Sequence, residues 1–352
     1  MIDGRDRLRR LVLNALGYCG VAALARPVVG GIGAILMLHR VTNHLERPDG
    51  ANCHLAITPG FLDQVIADMK ARGYEFVTLD DALERLRRGQ GGRPFATITA
   101  DDGYRDNLTE ALPVLERHGA PITIYIAPGL IDGAVDLWWD VLNEIVHAKD
   151  TLTLKTPSGQ MTLDCSTPAS RAEANARLLA YFTTEVREEE QRRVLHELSH
   201  SCGVDPDAPR RKTLMTWDEV RKAAGHPLVT IGAHTVHHYS LKRLDEAFAR
   251  REIVEAGRIL EAQLGQKPVH MAYPYGYPSA VGAREVALAR VAGYASAVTT
   301  RHGVLHAGHA AHLQALPRIS LNGRYQRLAS GLTMLSGIST PLANSGKLLV
   351  TV

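Results

Sequence analysis

The stretch FATITADDGYRDN, residues 95–107, places two adjacent acids directly behind a short apolar run. The run FATITA has the length and the β-branched content of a buried strand, so Asp101 and Asp102 leave that strand side by side. Two neighbouring carboxylates repel each other unless a cation or hydrogen-bond donors compensate their charge. A solvated acidic turn and a metal site both fit such a pair, and the rest of the sequence must distinguish them.

The same pattern of a short apolar run followed by a helical period repeats along most of the chain. Residues 58–74, for example, place apolar side chains at helical spacing behind Thr58 as N-cap and Pro59 at the first helical position. Strands that alternate with helices indicate a parallel sheet, and about seven of them predict an α/β fold, a distorted (β/α)7-type TIM-like barrel. The strand candidates are residues 34–39, 75–79, 95–100, 121–127, 228–234, 269–274, 295–300 and 315–321.

The alternation lapses between about residues 133 and 215, where the sequence reads as helices with a hairpin at 152–164. We interpret this part as a helical insertion in one βα loop of the barrel. The chain then divides into a basic, amphipathic segment at 1–30, the barrel with its insertion at 31–330, and a C-terminal tail at 331–352.

The composition narrows the classes of function. The 40 basic and 37 acidic side chains leave a net charge of only +3, and no basic run is interleaved with aromatic residues, so we expect no nucleic-acid partner. The four cysteines, Cys19, Cys53, Cys165 and Cys202, are widely scattered. They predict neither a disulfide framework nor a thiolate metal site.

The N-terminal segment has more than one interpretation. Residues 5–10 read RDRLRR, and the uncharged stretch LVLNALGYCGVAALA follows at 11–25, shorter than the ~20 residues that span a bilayer. A signal peptide, a membrane-surface helix and a helix docked on the domain all remain open. We favour a basic amphipathic segment that packs on the domain or makes peripheral membrane contact, hence a cytoplasmic or membrane-peripheral protein, with export as the alternative.

Polar residues follow several predicted strands directly, and the chemistry of such barrels lies at the carboxyl ends of their strands. His39, Asp101, His234 and Tyr275 all hold such positions. His238 stands four residues after His234, and a pair at that spacing can bring two imidazoles to one metal ion. Two histidines and one carboxylate leave coordination positions open for water and substrate. The second aspartate of the pair could then accept a proton.

Three motifs, TADDGYRDN (99–107), HTVHH (234–238) and AYPYG (272–276), resemble in this order the first three motifs of the polysaccharide deacetylases with the NodB homology domain, carbohydrate esterase family 4. The resemblance covers roughly residues 30–330. It implies that Asp101 is the general base and that Asp102, His234 and His238 bind a divalent cation, usually zinc. It further implies that the backbone N–H of Tyr275 helps to hold the oxyanion and that the substrate is an N-acetylated glycan.

The sequence departs from the family pattern at two positions. Family members commonly have an arginine in the third motif that braces the base, whereas this chain has Ala272 there, and Arg318 in LPRISL is our candidate for a substitute guanidinium. The family's C-terminal leucine-rich strand with its general-acid histidine is missing from its usual place. The segment AILMLHRV (34–41) resembles that strand moved to the front, as in circularly permuted relatives, so we predict His39 to be the acid.

We therefore expect a metal-dependent hydrolase that removes N-acetyl groups from the N-acetylhexosamine units of a poly- or oligosaccharide. Two alternatives remain at this stage: a hydrolase of non-sugar amide C–N bonds on the same scaffold, and a glycan-binding protein without catalysis. Trp138 and Trp139 either line a sugar subsite or anchor the insertion to the barrel.

Overall fold

The computed structural model describes residues 21–45, 50–89 and 92–352. Strands and helices alternate through the barrel part of these residues, as expected. The strands are β1 (Gly33–Leu38), β2 (Arg40–Val41), β3 (Ala56–Ile57), β4 (Glu75–Phe76), β5 (Phe95–Ala100), β6 (Ile122–Ile126), β7 (Thr151–Thr156), β8 (Gly159–Asp164), β9 (Val229–Ala233), β10 (His270–Ala272), β11 (Ser296–His302) and β12 (Leu316–Ser320). The helices are α1 (Val21–Val29), α2 (Pro59–Ala71), α3 (Leu79–Arg88), α4 (Leu112–His118), α5 (Pro128–Asp132), α6 (Trp138–Ala148), α7 (Pro168–Thr184), α8 (Gln191–Cys202), α9 (Ala208–Thr213), α10 (Trp217–Ala224), α11 (Glu246–Leu264), α12 (Ala283–Val291), α13 (Leu328–Leu335) and α14 (Ser339–Ala343).

Seven parallel strands close into a barrel. Their order is β1-β12-β11-β10-β9-β6-β5, and β5 pairs again with β1 over the six residues Gly33–Leu38 and Phe95–Ala100. Every side chain of β1 and of β5 is buried, because helices cover the outside of the barrel and side chains fill its interior. The predicted (β/α)7-type barrel is confirmed.

One predicted strand is largely wrong. Residues 75–79 were expected to form a strand, but only Glu75 and Phe76 pair with the start of β5, and Leu79 already begins helix α3. Thr78 causes the early helix, since its side chain accepts a hydrogen bond from the Asp81 N–H as an N-cap. The apolar pattern of residues 75–79 is compatible with a strand and with the start of a helix, and the N-cap at Thr78 favours the helix.

The insertion forms a layer of its own beside the barrel. It contains helices α6 to α9 and the predicted hairpin, in which β7 and β8 pair in antiparallel fashion from Thr151–Asp164 to Thr156–Gly159. Its apolar side chains build a separate core around Leu142, Leu178 and Phe182. The barrel residue Tyr104 belongs to that core, so the insertion is packed against the end of the barrel that carries the paired acids.

The two ends of the described chain meet. The turn at Gly337, after α13, approaches the backbone of Val29 in α1 so closely that a Cβ there would overlap the Val29 carbonyl. On the outer side of α1, the side chains of Leu24 and Val28 are 82% and 78% exposed. Most of the predicted N-terminal segment, residues 1–20, lies outside the described residues. In the part of the chain that the structure describes, no helix has the length and apolarity needed to cross a membrane.

Candidate active site and metal centre

The carboxyl ends of the barrel strands carry an unusual concentration of backbone strain. Outside glycine, few residues adopt a left-handed backbone, and a β-branched residue there is an outlier. Four of the five described non-glycine residues with positive φ lie at this end of the barrel: Asp102 (71°), Thr235 (59°), His238 (57°) and Tyr275 (62°). Such strain persists only where the surrounding structure enforces it, and it clusters at functional sites.

Asp102, His234 and His238 bring three ligand atoms together. The Nε2 atoms of His234 and His238 lie 3.4 and 3.3 Å from Oδ1 of Asp102, and the ligand atoms of the three residues lie within 4.8 Å of one another. All three side chains are buried. Asp102 Oδ1 has no hydrogen-bond partner among the described residues, and a buried oxygen left in that state is costly unless a cation occupies the space before it.

The orientation of the histidines fits the same cation. His234 Nδ1 lies 2.7 Å from the carbonyl oxygen of Ala272, so it carries the proton and leaves Nε2 free to bind, as metal-ligating histidines commonly do. His238 is held by the insertion, since the Trp139 ring packs 5.0 Å from its imidazole. Burial alone would raise the pKa of Asp102, but the two imidazoles lower it well below its ordinary value. The donor set of two nitrogens and one carboxylate oxygen suits a divalent cation.

Asp101 has a different partner from its neighbour. Its two carboxylate oxygens accept hydrogen bonds of 2.8 and 2.7 Å from the guanidinium of Arg318, a residue that is 1% exposed. Arg318 is itself held by the Thr299 carbonyl and the Thr99 hydroxyl. Burial alone would raise the pKa of Asp101, but the charge and hydrogen bonds of Arg318 outweigh it and hold the pKa below its ordinary value. Asp101 is therefore ionised near neutral pH.

His39 and Tyr275 complete the set of residues singled out from the sequence. His39 directly follows β1, and its Nε2 lies 4.0 Å from Asp101 Oδ2. Asn107 fixes the turn at His39 by donating to its carbonyl oxygen. The Tyr275 ring lies 5.0 Å from that of His238, and Thr300 holds the Tyr275 carbonyl with a hydrogen bond of 2.6 Å. The seven candidate residues therefore meet at one end of the barrel.

Two contributors to this site were not singled out for it from the sequence. Glu252 of helix α11 accepts hydrogen bonds from the backbone N–H groups of Val236 and His237, which lie between His234 and His238. The sequence gives no indication of this role, because Glu252 is one of many charged residues in an amphipathic helix. In the structure its carboxylate is only 2% exposed, which is uncommon for a glutamate. The second is Glu188 of the insertion, which accepts a hydrogen bond from the Ser240 N–H.

Trp138 and Trp139 reach into the site from the start of helix α6. The Trp138 indole N–H donates to the Tyr275 hydroxyl, and that of Trp139 donates to the Tyr104 hydroxyl. Both indoles are 7% exposed. They therefore anchor the insertion to the barrel, one of the two interpretations of this pair.

A buried ionised carboxylate beside an Asp-His-His set, at the carboxyl end of a parallel barrel, defines the class of metal-dependent hydrolases. The family model described as polysaccharide deacetylase matches residues 88–201 and 173–296, together more than half of the chain. The chain belongs to the polysaccharide deacetylase family, whose members depend on a metal ion and hydrolyse the C–N bond of N-acetyl groups on polysaccharides. The resemblance of the three motifs is thereby confirmed, and the protein is a hydrolase that N-deacetylates polysaccharide.

Solved structures of similar fold support this assignment of the barrel. The deacetylase PplD of Streptococcus pyogenes, in complex with acetate, is 18% identical, with a TM-score of 0.54 over 82% of this chain and 92% of that one. IcaB of Ammonifex degensii is 17% identical, with a TM-score of 0.55 over 86% and 97%. The deacetylase domain of BpsB from Bordetella bronchiseptica is 13% identical, with a TM-score of 0.51 over 83% and 96%. A search of curated proteins finds no match to the chain.

Proposed function

We propose that this protein removes the acetyl group from N-acetylhexosamine units of a glycan, with Asp101 as general base and a zinc ion held by Asp102, His234 and His238. The observation that carries the proposal is that two adjacent acids have different binding partners. Asp101 is bound by a buried arginine, whereas Asp102 faces two imidazole nitrogens. One carboxylate is thus prepared to accept a proton and the other to bind a cation.

Zinc is the cation that this donor set favours. Two imidazole nitrogens and one carboxylate oxygen, with further positions left open, form a ligand set found in hydrolytic zinc sites. The chemistry that such a cation supplies when bound is Lewis acidity, which lowers the pKa of a coordinated water towards neutrality and polarises a carbonyl.

The side chains of the site divide the proton transfers of amide hydrolysis. Asp101 takes a proton from the attacking water as the water oxygen bonds to the acetyl carbon. Arg318 keeps Asp101 ionised and oriented for this step. The Tyr275 N–H donates to the oxygen that gains negative charge. His39 gives a proton to the sugar nitrogen as the C–N bond breaks, which releases acetate and a free amine.

Metal analysis and acetate release test the proposal together. We expect about one zinc ion per wild-type chain and none in Asp102→Ala or His234→Ala, both of which should be inactive. Asp101→Asn should keep its zinc and lose turnover of N-acetylglucosamine oligomers. His312→Ala, in a loop away from the site, serves as the matched control for a lost histidine. An Asp101→Asn variant with wild-type turnover would contradict the assignment of the base.

The substrate alternatives are separated by the same assay. Release of acetate from acetylated sugars, but not from linear or cyclic non-sugar amides, is the expected result, because the family acts on polysaccharide. Cleavage of the non-sugar amides at equal rates would favour the broader amide hydrolase. Glycan binding by the wild type without any acetate release would favour a binding protein.

We also propose peripheral contact of the N-terminal region with an anionic membrane surface, and therefore a membrane-peripheral location. Two features of α1 support it: the exposed side chains of Leu24 and Val28 lie four residues apart on one helix face, and Arg26 lines an adjacent cleft of about 860 Å³. The cleft also contains Arg88 and Arg93 with one glutamate, Glu75. Apolar side chains beside basic ones are the features of an interfacial helix.

Vesicle flotation tests this contact with the full chain. We expect binding to vesicles rich in phosphatidylglycerol, little binding to phosphatidylcholine alone, and a loss of about tenfold in the double variant Leu24→Ser with Val28→Ser. Val291→Ser, which removes an equally exposed apolar side chain on α12, is the control. Equal binding to both vesicle types, or no effect of the double variant, would contradict the proposal.

A further inference from the structure

The turn that carries His234 and His238 has a strained backbone at two of its residues. Thr235 has a φ of 59° and His238 has a φ of 57°, in the left-handed region that residues other than glycine rarely adopt. Thr235 is β-branched, which makes this conformation still less favourable. A backbone of this kind keeps its shape only where contacts from the surrounding structure enforce it.

Glu252 of helix α11 supplies a charged contact to this turn. Its Oε2 accepts hydrogen bonds of 3.1 and 2.8 Å from the backbone N–H groups of Val236 and His237, and its Oε1 lies 2.6 Å from Nδ1 of His237. One buried carboxylate thus binds three polar groups of two consecutive residues. Hydrogen bonds to an ionised group are about twice as strong as those between neutral groups, so this contact holds the turn firmly.

Two further hydrogen bonds of the turn involve neutral groups. The Val236 carbonyl accepts from the Gly129 N–H at 2.8 Å, and the Thr235 hydroxyl accepts from the His238 N–H at 3.2 Å. Neither of them involves the N–H groups that Glu252 binds. Loss of the carboxylate would take the acceptor from the buried Val236 N–H, and a buried donor left unpaired is costly. The turn would then relax towards a different backbone conformation.

His234 and His238 depend on the turn to different degrees. The His234 imidazole is fixed through its own second nitrogen, because Nδ1 lies 2.7 Å from the Ala272 carbonyl oxygen in strand β10. Its backbone N–H also donates to the Ile126 carbonyl in β6. By contrast, Nδ1 of His238 has no hydrogen-bond partner among the described residues. The position of the His238 imidazole is therefore set by the backbone of the turn and by the packing of the Trp139 ring.

We infer that Glu252 is a positioning residue that holds the turn, and through it chiefly His238, in the arrangement needed to bind the metal ion. The inference rests on the proposed function, in which His234 and His238 are metal ligands. The hydrogen bonds of Glu252 reach Val236 and His237, so it acts on the two imidazoles through the turn. Outer partners that orient metal ligands typically contribute about 10–100-fold to metal affinity.

Metal affinity and ligand geometry are measured on the full chain loaded with zinc or with cobalt. Zinc affinity is obtained by competition with a chelator, and the visible absorption bands of the cobalt-loaded protein report the geometry around the ion. We expect Glu252→Ala to bind zinc about 10–100-fold more weakly than the wild type and to shift the cobalt bands.

Conservative variants separate positioning from a general loss of stability. Glu252→Gln keeps an oxygen that can accept from the two N–H groups, and its NH2 group can donate to His237 Nδ1 when that nitrogen is unprotonated. We expect it to recover most of the zinc affinity and the cobalt spectrum of the wild type. Glu252→Asp keeps the charge but withdraws the carboxylate by one methylene, so its affinity should lie between those of the glutamine and alanine variants. The aspartate variant carries the test if Glu252→Ala does not fold.

Two control variants lie on the same helix. Glu255→Ala removes a glutamate that pairs with Arg258 on the exposed side of α11, and it should change neither the affinity nor the spectrum. Leu260→Ala leaves a cavity in the buried core and should lower the free energy of unfolding, with zinc affinity and cobalt bands as in the wild type. Together they show whether a lost charge or a general destabilisation is enough to weaken metal binding.

The outcomes separate this inference from the proposed metal site. Wild-type affinity and spectrum in both Glu252→Ala and Glu252→Asp would overturn the inference. A loss of affinity in Leu260→Ala as large as that in Glu252→Ala would overturn it as well, because the effect would then follow stability alone. Absence of zinc and cobalt binding by the wild type would overturn the proposed metal site, and the inference with it.

Discussion

Replacement of Arg318 by methionine should destabilise the protein strongly, because it leaves the Asp101 carboxylate buried without its partner. Arg318 makes two hydrogen bonds to Asp101, of 2.8 and 2.7 Å, and both side chains are almost fully buried. Breaking a buried ion pair from one side costs about 3–5 kcal/mol. An exposed pair is worth only about 0.2–1 kcal/mol, so Arg72→Met, which breaks the exposed bond to Asp68, is the matched control.

Denaturant unfolding, followed by fluorescence, measures both losses as free energies of unfolding. The double variant Arg318→Met with Asp101→Asn should be less destabilised than the sum of its two single variants by about 2 kcal/mol or more, since each single variant leaves one buried group unpaired. The pKa of Asp101 is lowered in the folded state from an ordinary value of 3.8. The stabilisation by the pair is therefore present above pH 3.8 and is lost on further acidification. Additive single losses, or a loss below 1 kcal/mol in Arg318→Met, would refute the reasoning.

Three further predictions concern stability and the packing of the site. Burial lowers the pKa of His270 from 6.5, so the unfolded state binds a proton at this residue more readily than the folded state. The free energy of unfolding should therefore decrease as the pH is lowered from 6.5, and His270→Gln should flatten that part of the stability curve. Gly129→Ala places a Cβ 2.7 Å from the carbonyl oxygen of Val236, in the turn between His234 and His238, and should lower both stability and metal affinity. Gly60→Ala meets open space and should instead stabilise the protein by about 0.4–1 kcal/mol in thermal unfolding. Trp139→Leu should lower the free energy of unfolding by about 2–4 kcal/mol and weaken metal binding through His238, and Trp139→Phe should lower it less. Zinc affinity equal to that of the wild type in both variants would contradict this role of the ring.

The parts of the site that follow strands could be predicted from the sequence. His39, Asp101 and His234 each follow a buried strand, and parallel strands bring their carboxyl ends to one end of the barrel regardless of their separation along the chain. Arg318 was predicted as a substitute for the family's arginine that braces the base, from its position on another strand. Its pairing with Asp101 depends on which strands become neighbours when the barrel closes, and β12 lies beside β1, which in turn pairs with β5.

The contributions of the helices could not be predicted in the same way. The spacing of apolar residues indicates which face of a helix is buried, but it does not indicate what that face packs against. Glu252 contacts the histidine turn because helix α11 packs against it, and Trp139 reaches the site because the insertion packs on Tyr104. Both depend on tertiary packing. The predicted strand at 75–79 failed for a local reason, since the N-cap at Thr78 outweighed the apolar alternation.

The backbone at Asp102 explains how two adjacent acids can serve one site without repelling each other. With φ at 71°, Asp102 leaves the extended course of β5, and its carboxylate reaches the two imidazoles while that of Asp101 remains on Arg318. Gly103, also left-handed at 75°, continues the turn, and a Cβ there would meet the Ile126 side chain at 2.8 Å. The like charges are thus compensated separately, one by a guanidinium and the other by the metal ion that we propose for the site. The strained turn separates the carboxylate that we propose as the base from the one that we propose as the metal ligand, and for that reason the two functions can occupy neighbouring positions in the sequence.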